Sequence, residues 1–160
     1  MSNTKVHVNP DGTTIEIPVD TTIVINEDVW ISQKVSIGSN VVIQGNYTVI
    51  GDNAKIDNGV KIGAGAELGN GVKIGINARL GAIVVAGAES DIGSGALIGD
   101  HVVIGSNVSI GEGAIIGSGV LIGDGTVVSP RVRISANREI GSNKFVNPGN
   151  KATGFRPQIH

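Results

Sequence analysis

The chain has 160 residues with 12 basic and 14 acidic side chains, a formal net charge of −2, and 25 glycines against two Phe, one Trp, one Tyr and one Met. That length is one domain with a real core, but a core of Ile, Val, Leu and Ala without aromatic volume must be narrow and regular. The absence of cysteine excludes disulfides, thiolate metal sites and a Cys nucleophile, and no stretch is apolar enough to span a membrane.

Residues 1–18 contain an Asn-Pro-Asp-Gly turn between extended segments and read as an N-terminal cap, with Val29 and Trp30 sealing the first coil behind it. The start lacks the apolar centre of a signal peptide, so the cytoplasm is the default expectation.

From residue 19 a six-residue beat takes over. Ile25, Ile31, Ile37 and Ile43 keep it after Val19, one seven-residue step follows, and from Ile50 to Val146 every sixth residue is aliphatic. Two positions before each of these the residue is small or apolar as well, as in Ala54, Val60, Ala66 and Val72. Inward residues two apart make short strands, with the residue between them facing outward. Three positions after each, twelve of sixteen residues from Asn53 to Asn143 are Gly or Asn, which tolerate the left-handed backbone of a tight corner. Proline is absent between Pro18 and Pro130, as strands that donate to neighbours on both sides require. Strand and corner in strict alternation make a solenoid.

The stretch "RLGAIVVAGAESDIG", residues 79–93, breaks the corner rule with Ile83 and Glu89 and places the undersized Ala86 in the core column. A β-branched residue is costly in a left-handed corner, so an altered turn or a bulge is expected here, as a site or as a contact between chains. After residue 147 the beat is lost, and 148–160 read as a tail.

The repeated [Leu/Ile/Val]-Gly-x-x-x-x unit with a small residue or valine two positions earlier resembles the hexapeptide-repeat family. The resemblance covers 31–147 strongly and 19–30 weakly. It implies an all-β fold, a left-handed parallel β-helix over 19–147 with three hexads per triangular coil, and a homotrimer packed through its helices. About seven coils at ~4.8 Å each give a rod on the order of 34 Å.

Eighteen residues per coil put every third hexad on one face. Outward Val85, Val103 and Leu121 then stack in successive coils, with Leu97 and Ile115 on a neighbouring face at similar height. A contiguous apolar ladder of this kind reads as the trimer interface. Lys55 and Lys73 stack on one face and Lys61 and Arg79 on another, a possible anion patch or a solvated face, with Asp57 or Glu67 to offset the repulsion. No aromatics interleave with these cations, so nucleic acid is not the expected partner.

The resemblance also implies acyl transfer from a CoA or carrier-protein thioester, with a histidine as general base. Of His7, His101 and His160 only His101 lies inside the repeat, and no loop is extruded between 50 and 147. His101 occupies a corner position, where histidine's tolerance of left-handed backbone gives it a structural reason to be present. A three-histidine zinc site cannot be assembled from one repeat histidine, and no metal is expected. Outward Thr ladders and calcium-binding β-roll motifs are absent too.

Two functional readings follow. The first is a scaffolding rod without cofactor that associates laterally through the Val85, Val103 and Leu121 ladder. It could also stack end to end, because residues 1–54 balance at −4 and residues 131–160 at +5. The second is a trimeric acyltransferase that uses acetyl-CoA on a sugar or amine, with His101 as base.

Overall fold

The computed structural model describes residues 4–18, 23–148 and 155–157. Val19 and His160, and the boundary expected between cap and helix, fall outside the described residues.

The chain is an all-β, left-handed parallel β-helix of about seven turns. Two- and three-residue strands hydrogen-bond to the strands eighteen residues away, giving three parallel faces. In chain order the coil runs through face 1 (first strand Val29–Ile31), face 2 (Ser36–Ile37) and face 3 (Val42–Ile43), then returns to face 1 at Thr48–Ile50. The ladder bonds are short: Lys55 N donates to Val72 O at 2.8 Å and Asp57 N to Ile74 O at 2.9 Å.

The core is the expected pair of inward columns. Ile50, Ile56, Ile62, Leu68 and Ile74 are buried, and so are Ala54, Val60, Ala66 and Val72 two positions earlier. Polar members of the second column are bonded in place. Ser90 Oγ donates to Gly105 O at 2.7 Å, and Thr126 Oγ1 donates to Gly141 O at 2.8 Å. No buried side-chain nitrogen or oxygen among the described residues lacks a partner, as a packed interior demands.

Every corner from Asn40 to Asn143 is left-handed, including Ile83 at φ 57° and Glu89 at φ 59°. The irregularity expected over 79–93 is therefore absent: these corners share the common shape, and Val85–Ala86 keeps register with Glu67–Leu68 below and Val103–Ile104 above. Ladder pairing on both sides holds the corner, so the local strain of a β-branched residue is borne rather than relieved. The one seven-residue step is absorbed by two consecutive left-handed residues, Asn46 at φ 60° and Tyr47 at φ 67°.

Residues 4–18 form an antiparallel hairpin, Thr4–Val8 against Thr14–Pro18. Ile15 and Ile17 are buried with the helix core. Asn9 Nδ2 donates to Ile31 O, His7 Nε2 donates to Val29 O at 3.0 Å, and Lys5 Nζ donates to Ile23 O at 2.8 Å. The seal expected from Val29 and Trp30 is thus made differently. Val29 belongs to the core and Trp30 stands outward on face 1, because alternation along the strand puts neighbours on opposite sides. At the other end Phe155–Pro157 pairs antiparallel with Arg138–Ile140, so the segment read as a tail contributes a strand.

Candidate functional site

The outward residues of face 1 stack in the order Trp30, Val49, Glu67, Val85, Val103, Leu121, Glu139. Those of face 3 run Val42, Lys61, Arg79, Leu97, Ile115, Arg133. Each face is therefore apolar in its middle coils and charged on either side. Leu97, Val103 and Leu121 are about two-fifths exposed, at 42%, 40% and 37%.

These apolar stretches meet at one corner. Face 3 leads into face 1 through a column of left-handed residues spaced eighteen apart, each of which donates to the coil below: Ile83 N to Ala64 O, His101 N to Ala82 O and Gly119 N to Asp100 O. Ile83 is half exposed. His101 is exposed at φ 58°, directly between the Leu97–Ile98 and Val103–Ile104 strands. The sequence already sets the two ladders on neighbouring faces at similar height, with His101 close to them. The structure brings them together with Ile83 in one vertex.

Asp100, next to His101, is committed elsewhere. Its Oδ1 accepts from Ala82 N at 2.8 Å, and its own N donates to Ser118 Oγ at 3.2 Å. The same bond recurs at other corners, where Asn58, Asn70 and Asp124 accept from Ser39, Asp52 and Ser106. The adjacent carboxylate thus belongs to the coil-to-coil bonding. A groove of about 300 Å³ on face 3 runs to this corner, lined by Gln44, Lys61, Ala82 and Asp100 among others.

The cations form two separate columns. Lys61 and Arg79 lie on face 3, below Leu97. Lys55 and Lys73 lie on face 2, which takes no part in the vertex. Lys55 Nζ is 3.5 Å from Asp57 Oδ1, an exposed pair worth little stability. No group of three or more potential metal ligands occurs among the described residues. Among them no helix is long and apolar enough to cross a membrane.

Residues 47–82 and 89–124 each match the family model described as bacterial transferase hexapeptide (six repeats). These two stretches are hexapeptide repeats. No curated protein matches its sequence. Among solved structures, this hexapeptide-repeat chain resembles LpxA from Acinetobacter baumannii at 16% identity and TM-score 0.52, over 79% of this chain and 65% of that one. It also resembles LpxA, a UDP-N-acetylglucosamine acyltransferase from Bacteroides fragilis, at 22% identity and TM-score 0.58, over 79% and 58%. A third is the Francisella novicida UDP-N-acetylglucosamine acyltransferase, at 22% identity and TM-score 0.54, over 78% and 59%. The hexapeptide-repeat chain spans about three-fifths of the length of these structures, and the likeness is one of fold.

Proposed function

We propose that the protein is a homotrimeric acyltransferase whose subunits pack laterally through the vertex between faces 3 and 1, with the chemistry in the seam. The observation that carries this reading is the position of His101, the histidine of the coils, exposed where the Leu97 and Ile115 ladder converges with the Val85, Val103 and Leu121 ladder. A run of stacked aliphatics, exposed at Leu97, Val103 and Leu121 and half-buried at Val85 and Ile115, beside a charged remainder is the pattern of a buried subunit contact. The repeat family is a transferase one, and two of the similar folds are named as UDP-N-acetylglucosamine acyltransferases.

In this reading the donor is an acyl thioester such as acetyl-CoA. An acceptor hydroxyl or amine attacks the thioester carbonyl, forming the new C–O or C–N bond while the C–S bond breaks. His101 takes the acceptor's proton and returns it to the departing thiolate, so the imidazole ends neutral. Lys61 and Arg79, on the face that leads into the vertex, are the cations available to the donor's phosphates. The hydroxyl of a nucleotide sugar is the acceptor class that the named relatives suggest.

A second reading keeps the lateral assembly and removes the chemistry. It is favoured by Asp100, whose carboxylate bonds to Ala82 and not to His101, and by the left-handed corner, which accounts for a histidine on its own. Stacking of rods end to end has less support, because hairpin side chains cover the Val29–Ile31 strand and Phe155–Pro157 pairs with Arg138–Ile140 at the opposite end of face 1.

His101→Asn tests the two readings, because Asn also accepts a left-handed corner and should leave fold and assembly intact. Acyl transfer requires that acetyl-CoA raise the melting temperature of the wild type and that thiol release in the presence of acceptor be lost in the variant. A wild type that acetyl-CoA neither stabilises nor turns over would leave the scaffold.

A further inference from the structure

The chain's single tryptophan and single tyrosine both lie outside the core. Trp30 and Tyr47 line one cleft of about 310 Å³ at the N-terminal end of face 1, together with Pro10 from the hairpin turn, Val49 and Asp28. Tyr47 is 82% exposed and Trp30 37%. An aliphatic β-helix has no structural need to gather its rings in an open cleft.

The way Tyr47 is held strengthens the point. It is the extra residue in the one seven-residue step between Ile25 and Val146, inserted before the inward Thr48. Its backbone is left-handed at φ 67°, next to Asn46 at φ 60°. A bulky side chain there is strained, and retained strain of this kind concentrates at functional sites. Removing Tyr47 would restore the six-residue beat, so the fold itself does not call for it.

The polar lining fixes the sign of the ligand. Asp28 brings a carboxylate, and among the described residues no Lys or Arg lines the cleft. Thr48 Oγ1 is already used, donating to Gln44 O at 2.8 Å and accepting from Gly65 N at 3.1 Å. In the next coil Val49 is paired with Glu67, and residues 1–54 carry two basic against six acidic side chains. Aromatic faces attract a cation through their quadrupole, most strongly when it sheds water easily, and a carboxylate at the rim adds to that attraction. We infer that this cleft is a binding site for a small organic cation of the quaternary or methylated ammonium class, held by Trp30, Tyr47 and Asp28.

Trp30 reports on the site directly, since no other tryptophan contributes to the fluorescence. The full chain is titrated with choline, with its neutral isostere 3,3-dimethylbutan-1-ol, with methyl glucoside, and with sodium chloride at matched ionic strength. The expected result is a saturable Trp30 response to choline that the isostere, the glucoside and the salt do not reproduce. Asp28→Asn and Tyr47→Asn, both tolerant of the left-handed backbone, weaken it about tenfold or more without changing the far-ultraviolet circular dichroism. Equal response to the isostere, saturation by the glucoside but not by choline, or no saturable change overturns the assignment. Co-sedimentation with phosphatidylcholine vesicles, without a response to free choline, also overturns a free-ligand pocket.

Discussion

Asn9 stands in for a missing strand beneath Ile31. Its Nδ2 donates to the Ile31 carbonyl at 2.8 Å, and its Oδ1 accepts from the Ile31 N–H at 2.8 Å. Asn9 is itself buried, so both bonds are sheltered from water. Asn9→Ala leaves a donor and an acceptor unpaired and should cost about 2 kcal/mol or more, read from urea unfolding. A loss below about 0.5 kcal/mol would mean that water replaces the amide and that the hairpin contributes little to the seal.

The glycines after each strand fall into two kinds that differ in consequence. At Gly63 a Cβ would sit 2.5 Å from the backbone of Gly81 in the coil above, whereas at Gly95 a Cβ would meet nothing within 4 Å. Gly63→Ala should therefore force neighbouring coils apart and cost several kcal/mol. Gly95→Ala meets only the strain of its left-handed φ of +67° and should cost about 1 kcal/mol. Thermal melts of the two variants check the order, which the account requires to be clear and in this direction.

Ile83 gives a prediction with opposite signs in two measurements. Its left-handed backbone is unfavourable for a β-branched residue, and its side chain is half exposed, so Ile83→Asn removes strain at small cost in burial. The variant monomer should gain about 1 kcal/mol against urea. If Ile83 contributes to the seam, the same change should weaken the trimer. Stabilisation with unchanged assembly would take Ile83 out of the contact.

His101 and Asp100 separate by the same logic. Asp100→Ala removes the acceptor for Ala82 N and should lower stability by about 1 kcal/mol, with acyl transfer reduced only in proportion to folded protein. His101→Asn should do the reverse, leaving the melting temperature within a degree or two while activity is lost. Parallel loss of stability and activity in both variants would argue against a base at this position.

What the sequence made legible follows from what repeats. The inward columns, the corners and the facing ladders recur every six or eighteen residues, so the repeat alone stacks Val85, Val103 and Leu121, and they do stack. The Ile83 and Glu89 corners depart from expectation because steric preference acts on one residue alone, while ladder pairing above and below imposes the common backbone. The vertex was only half legible: both ladders and His101 were visible, but not that Ile83 joins them. The Asn9 seal and the Trp30–Tyr47 cleft left no periodic signal, since each depends on contacts between the hairpin and coils some twenty or more residues away. The seven-residue step was the one mark in the sequence that could have pointed to Tyr47.

Solution mass tests the proposed seam most directly. Sedimentation equilibrium of the wild type and of Val103→Lys, over a wide range of protein and salt concentration, sets the 16.2 kDa chain against its multiples. The account predicts a fixed mass of three chains for the wild type and one chain for the variant, whose charge would be buried in the contact. A wild type that stays at one chain throughout, or whose mass climbs without a plateau, would contradict it.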